Sequence, residues 1–151
     1  MCILCRKKII ELIEYKYIEI KNCCKIKYIP SILINLVQIE IINCKNFIFI
    51  PSELINLRYI YVERCCKFVE IPKTLNLLTN LCFINCIKFK RLNNNLPNLK
   101  ILILEDCYCI IDINKNFSKL QLLIIDKCIF YETKNIYLNK VDDIVSFFQE
   151  K

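Results

Sequence analysis

Residues 36–51 read LVQIEIINCKNFIFIP, and most apolar positions in this stretch recur at multiples of 21 residues along the chain. The clearest series is a column of six cysteines in arithmetic progression: Cys23, Cys44, Cys65, Cys86, Cys107 and Cys128. Cysteine fills only 12 of the 151 positions, so chance does not account for this spacing. The chain is therefore built from repeats of 21 residues.

Other apolar columns keep the same period. In the second repeat they are represented by Leu36, Ile39, Ile41, Phe47 and Ile50, and Pro51 follows the last of them. The consensus is LxxLxLxxCxxFxxLPxxLxx, with Ile often in place of Leu. This pattern resembles a leucine-rich repeat (LRR), in the variant that has Cys where many members have Asn, and the resemblance covers roughly residues 12–134.

The resemblance implies an α/β-type repeat fold: an LRR solenoid with one parallel β-sheet on its concave face and an irregular or short-helical convex side. We predict strands at 16–20, 37–41, 58–62, 79–83, 100–104 and 121–125. Within each strand alternate residues face opposite ways, so Ile39 and Ile41 point inward while Gln38 and Glu40 point outward. The proline that follows the last apolar column fixes φ and favours an extended or single-turn return.

The sequence divides into three segments. Residues 1–11 continue the register backwards, since Cys2 falls 21 residues before Cys23, and they are either a degenerate N-terminal repeat or cap or the remnant of a truncated reading frame. Residues 12–134 hold six LRRs, and residues 135–151 form a C-terminal cap. A capping helix at 140–150, with Asn139 as N-cap, is predicted from the helical spacing of its apolar residues, and an edge strand at 142–146 is the alternative.

Composition excludes several classes of function. The chain has no His and no Gly, so it lacks phosphate-cradling glycine loops and the commonest general base. The net charge of +7 comes mostly from Lys, and the sequence contains no basic run. Codon bias of the genome explains this charge as well as nucleic-acid binding does, so nucleic acid is not an expected partner.

The longest uncharged stretch, residues 74–87, is too short to span a membrane, and the first residues do not form a signal peptide. We therefore predict a cytoplasmic protein.

The spacing of the cysteines predicts that they pack in the core and have no catalytic or metal-binding role. The six column members are expected to be buried, reduced thiols in a reducing compartment, with occasional oxidation or metal binding as alternatives. Cys2 and Cys5 have the spacing of zinc ligands, but a closed site needs four ligands and the chain offers no His and no second CxxC pair. We interpret these two as inward core thiols and predict no metal and no cofactor.

The outward positions of the predicted strands form two columns. The first is Tyr17, Gln38, Tyr59, Asn80, Ile101 and Leu122, and the second is Glu19, Glu40, Tyr61, Cys82, Ile103 and Ile124. Polarity falls along both, which predicts an apolar surface at Ile101, Ile103, Leu122 and Ile124. Tyr59 and Tyr61 lie towards the middle of the open face, and Arg58 and Arg64 are included because Arg is a frequent interface anchor. The alternative is that an isoleucine-rich composition leaves isoleucine on this face without purpose.

Resemblance to the LRR regions of plant-type immune receptors and ubiquitin-ligase adaptors implies a protein-interaction scaffold that binds a partner protein on its concave face. The alternative is the repeat region of such an adaptor, or of a pathogen effector, whose signalling or enzymatic domain is absent from this chain. A decaying repeat fragment is a third hypothesis. No enzyme activity or small-molecule substrate is expected, because a thiol nucleophile needs a neighbouring base. The predicted carboxylate pairs, Glu19 with Glu40 and Glu105 with Asp126, lack a walled pocket and fit a solvated face or a weak cation site.

Overall fold

The computed structural model describes residues 2–92, 96–108 and 117–128. Two short helical segments come first: α1 (Ile3–Arg6) and a 3₁₀ helix (Ile9–Leu12). Six strands of five residues follow in the described part of the chain: β1 (Tyr17–Lys21), β2 (Gln38–Ile42), β3 (Tyr59–Glu63), β4 (Asn80–Ile84), β5 (Ile101–Glu105) and β6 (Leu122–Asp126). They form one parallel sheet in sequence order. The predicted single parallel sheet is confirmed.

The pairing register follows directly from the repeat. Every residue in a strand pairs with the residue 21 positions further on, as in Ile18 with Ile39 and Ile39 with Ile60. Inward and outward residues alternate in all six strands, so the predicted assignment of Ile39 and Ile41 to the core is confirmed. One repeat length thus fixes both the neighbour and the face of each strand residue.

The predicted strand boundaries were one residue too early throughout. β2, for example, runs Gln38–Ile42 rather than 37–41. The strand continues one residue past the second inward side chain and stops just before a residue with left-handed backbone: Asn43 has φ 53°, and its N–H donates to the carbonyl of Glu63 at 2.8 Å. The equivalent residues are Asn22, Arg64, Asn85, Asp106 and Lys127. Asn and Asp tolerate this conformation best among residues with a side chain, and they supply four of the six positions in a chain without Gly.

The core consists of the inward columns stacked along the sheet. All inward strand residues are buried, and so are the leucines that close each repeat, such as Leu33 and Leu54. The rings of Phe47, Phe68 and Phe89 stack in a row, with successive centroids 5.7 Å and 5.8 Å apart. Each such side chain stabilises the array by about 1.5–3 kcal/mol through burial. Because every column continues into the next repeat, the core is continuous from α1 to β6.

The return segments between strands are irregular in the described residues. Turns close them, as where the N–H of Leu36 donates to the carbonyl of Leu33 at 3.1 Å, and no helix occurs in the described return segments. This agrees with the irregular form of the predicted convex side.

The predicted C-terminal cap at 135–151 lies outside the described residues. This includes its N-cap Asn139, the helix at 140–150 and the alternative strand at 142–146. The division of the chain into three segments stays a prediction. None of the described helices is long and apolar enough to cross a membrane.

Candidate functional site

The outward face of the sheet carries the residues that the sequence singled out. Tyr59 and Ile101 each pair with Asn80 in one outward row, and Ile101 pairs on its other side with Leu122. The next row places Cys82 between Tyr61 and Ile103, followed by Ile124. The four residues Ile101, Ile103, Leu122 and Ile124 are therefore direct neighbours on β5 and β6, and we call them the apolar patch. The columns are arranged as predicted, whereas the binding role of these residues stays a prediction.

The two tyrosines on β3 are separated from the patch by one strand, β4, and both are half-buried. The hydroxyl of Tyr61 donates to Oε2 of Glu63 at 2.7 Å, and burial, reinforced by this hydrogen bond, raises the pKa of Tyr61. Burial also raises the pKa of Tyr59, with the charge of Glu40 adding to it. Both phenols therefore remain neutral near neutral pH and present half-buried rings in fixed positions. Rigid aromatic side chains of this kind are common interface anchors because they lose little entropy on binding.

A third outward column was predicted only in part, as the pair Glu105 and Asp126, because the predicted strands ended one residue too soon. It consists of Lys21, Ile42, Glu63, Ile84, Glu105 and Asp126. The alternation that places residues 17 and 19 outward predicts residue 21 outward as well, so the signal was present. Glu105 and Asp126 are direct neighbours, as predicted, and they make an acidic rim at the end of the strands next to the apolar patch, while Glu63 lies two strands from Glu105 beyond Ile84.

The two predicted arginines lie at opposite ends of β3 rather than within the outward columns. Arg58 precedes the first strand residue and is exposed. Arg64 follows the last one with φ 51°, and its Nη1 lies 3.1 Å from Oε1 of Glu63. The Arg64 side chain is 64% exposed, so it remains accessible to a partner, whereas the Glu63 side chain is mostly buried.

The N-terminal half of the face is polar, and its carboxylates interact with neighbouring side chains. Glu19 and Glu40 are adjacent across β1 and β2, as predicted. Lys21 Nζ lies 2.6 Å from Oε1 of Glu19, and the amide of Gln38 donates to Oε1 of Glu40 at 2.9 Å. These groups stand on a solvated sheet surface, which suits attraction of a basic partner better than acid–base catalysis.

The cysteine column joins successive repeats. The Sγ of Cys44 lies 3.6 Å from the carbonyl oxygen of Ile20 in the preceding repeat and 3.4 Å from that of Ile42, so its single S–H is shared between two acceptors. The same two contacts are made by Cys65, Cys86, Cys107 and Cys128. The thiol therefore contacts two carbonyls at the strand ends, one of which also accepts a backbone N–H from the preceding repeat, as Ile42 does from Asn22 at 2.9 Å. All six column cysteines, Cys23 included, are buried, as predicted. Burial raises the pKa of Cys86, which favours an inert thiol, and the reduced state of the column stays a prediction.

Two further features were not found from the sequence. A shallow cavity of ≈ 480 Å³ lies on the return side and is lined in part by Tyr28, Phe49 and Glu70. The rings of Tyr28 and Phe49 stack there with centroids 5.4 Å apart.

The second feature is a cluster of three cysteines, Cys2, Cys5 and Cys23. Cys2 and Cys5 pack against the core, and together with Cys23 they form a group of three rather than an isolated pair. The period itself was the signal for this cluster, because Cys2 precedes Cys23 by 21 residues.

Comparison with known proteins supports the fold alone. No family model matches the chain, and a search of curated proteins finds no match. Among solved structures, the chain is similar to the leucine-rich repeat domain of the type III effector XopL, with a TM-score of 0.63 and 19% sequence identity. The similarity covers 76% of this chain and 47% of that chain, so the present chain spans about half of the effector domain structure.

Proposed function

Given that the chain is a leucine-rich repeat solenoid, we propose that it is a protein-interaction scaffold that binds a partner protein on the outward, concave face of its sheet. The observation that carries this proposal is the apolar patch on β5 and β6, where four Ile and Leu side chains adjoin one another on the face opposite the core. Contiguous apolar surface of this kind usually marks an interaction site.

The charges around the patch indicate the chemistry of the partner. Glu105 and Asp126 lie on the two patch strands and border the patch on one side, so a partner that places apolar side chains on the isoleucines and basic groups against this rim fits best. The apolar centre would supply most of the affinity, and the acidic rim would set orientation and association rate. We propose binding without catalysis, in the cytoplasm, where the buried thiol column stays reduced.

The decisive experiment compares three forms of the protein in a pull-down from the native cell. The test variant is Ile103→Lys with Ile124→Lys, which places two lysines side by side on neighbouring strands of the patch. The matched control is Ile34→Lys with Ile55→Lys, the same change at two isoleucines, also one repeat apart, on the exposed return side. Circular dichroism should show all three forms folded, since none of the four residues belongs to the core.

We expect the test variant to lose a partner that the wild type and the control both retain. If the partner docks on the polar end instead, the test variant retains it and charge reversal at Glu19 and Glu40 releases it, with strong salt dependence. If neither change releases a partner that the wild type binds, the partner does not bind the outward face of the sheet, and the shallow cavity on the return side becomes the next surface to test.

A second candidate function is the repeat region of an effector or of a ubiquitin-ligase-type adaptor. The observation that favours it is the similarity of the chain to the repeat domain of a type III effector. In that case the partner would be the target that the repeats select, and activity would come from a separate domain. Fusion of these repeats to a ligase domain, followed by assay for modification of the captured partner, tests this function.

A further inference from the structure

Three thiols from two separate parts of the chain meet at the N-terminal end of the solenoid. Cys2 and Cys5 flank the first turn of α1, where the N–H of Cys5 donates to the carbonyl of Cys2 at 3.0 Å. Cys23 comes from the turn after β1, 18 residues beyond Cys5. The Sγ atoms of Cys2 and Cys5 are 3.5 Å apart, and those of Cys5 and Cys23 are 3.8 Å apart.

These separations match those of thiolates that share one metal ion. A Zn–S bond of about 2.3 Å in tetrahedral geometry places neighbouring sulfurs about 3.8 Å apart. All three Sγ atoms lie within 4.8 Å of one another, so they can occupy three corners of one tetrahedron after small side-chain rotations. A collinear thiol column cannot do this, which separates the cluster from the rest of the cysteines.

Cys23 differs from the other column cysteines in what its thiol contacts. The thiols of Cys44, Cys65 and the three that follow each share one S–H between two carbonyls, which ties them to backbone. Within the described residues, the thiol of Cys23 donates to no carbonyl, and its sulfur lies 3.8 Å from that of Cys5. Metal coordination would therefore cost Cys23 no bond to a carbonyl, whereas it would cost each of the other members the hydrogen bond of its S–H.

We propose that Cys2, Cys5 and Cys23 bind one Zn²⁺ ion as three thiolates, with the fourth position open to water or another external ligand. Sulfur ligands without carboxylate or imidazole select soft, thiophilic ions. Binding breaks three S–H bonds, releases three protons to solvent and forms three Zn–S bonds, with no change of oxidation state. Cys5 is only half-buried within the cluster, which leaves the ion a path to the site from solvent.

The ion would fasten the N-terminal segment to the first repeat. Ile3 and Leu4, between the two α1 cysteines, pack against the core cluster and cover its N-terminal end. A Zn²⁺ ion with three thiolates carries one net negative charge, and the exposed Arg6 and Lys7 directly follow Cys5 in the sequence. Because metal affinity adds to the stability of the folded form, this end of the solenoid should be more stable with Zn²⁺ bound.

The test uses the full chain, purified with reductant and chelator and then titrated with Zn²⁺ against a chromophoric chelator. X-ray absorption on the Zn²⁺ form reads the ligands directly. We expect one equivalent of tightly bound Zn²⁺ with three sulfur neighbours at about 2.3 Å and one lighter neighbour. Cys5→Ser and Cys2→Ser should each weaken binding by about 100-fold or more, since loss of an outer-shell partner alone costs about 10–100-fold.

Cys66→Ser is the matched control, because Cys66 is also half-buried but its thiol donates to the carbonyl of Lys45, outside the cluster. This variant should bind Zn²⁺ as the wild type does, and hydrogen exchange over β2–β5 should confirm that all variants are folded. The proposal is overturned if the wild type binds no stoichiometric Zn²⁺, if Cys5→Ser retains wild-type affinity while folded, or if Cys66→Ser loses as much. A sulfur count of two or four, or a Cys2–Cys5 disulfide that persists in reductant, also overturns it.

Discussion

The coupling between repeats can be tested at Leu78, a fully buried leucine in the centre of the array. It belongs to the column that includes Leu57 and Leu99, both also fully buried, so its side chain lies between equivalent residues of the two flanking repeats. Leu78→Ala should therefore weaken the interfaces on both sides. In a solenoid each repeat is stabilised mainly by its neighbours, which makes a central cavity more damaging than a terminal one.

The expected loss follows from burial. Truncation of a buried leucine to alanine costs about 2–5 kcal/mol, because the lost transfer free energy is increased by the cavity that remains. The flanking strands are held in fixed register by the sheet, so the cavity cannot collapse easily and we expect about 3 kcal/mol or more. A loss of about 3 kcal/mol lowers the folding equilibrium constant by roughly 100-fold.

The assay is urea unfolding together with hydrogen exchange resolved by repeat. Leu77→Ala is the matched control, because this neighbouring leucine is 40% exposed and its truncation should change stability by less than about 0.5 kcal/mol. Leu12→Ala tests position in the array, since Leu12 is equally buried but lies beside β1 at the end of the sheet. Leu78→Ala should lower protection in β3, β4 and β5 together, whereas Leu12→Ala should affect mainly β1.

Two outcomes would refute the reasoning. One is a loss of stability in Leu78→Ala no larger than in Leu77→Ala, which would mean that burial of the leucine column contributes little to the free energy of unfolding. The other is loss of protection confined to β4, with unchanged exchange in β3 and β5. That result would mean that the repeats unfold independently, against a coupled solenoid.

The remaining predictions concern the turn that follows each strand. Cys44 and Cys86 should resist a thiol reagent in the native protein, while the exposed Cys24 reacts, and all three should react in denaturant. Mass spectrometry measures the labelling of each cysteine. Rapid labelling of Cys44 and Cys86 in the native protein would contradict their structural role. Asn85→Val should destabilise the protein by about 1–2 kcal/mol, because a β-branched residue fits poorly at φ 52°, and Asn85→Gly should be milder. Thermal unfolding measures both changes, and equal effects of Val and Gly would argue against backbone strain as the cause.

Much of the candidate face could be read from the sequence because it depends on two periods alone. The period of two along a strand turns Ile101 and Ile103 outward, and the period of 21 places them beside Leu122 and Ile124. Glu63 was not placed on this face because the predicted strand 58–62 ended one residue before it, whereas Glu63 still pairs with Ile42 and Ile84 in the sheet.

The sequence by itself determined the repeat, the core columns and the parallel register, since a constant spacing of apolar residues allows only one way of stacking the repeats that buries them all. Tertiary structure decided where each strand ends, because the left-handed residue at position 43 is supported by a hydrogen bond to Glu63 in the next repeat. It also brought Cys23 to Cys5, which belong to different segments of the chain. Spacing identifies residues that occupy equivalent places in successive repeats, but contact between a repeat and the segment that caps it depends on how that segment folds back on the core.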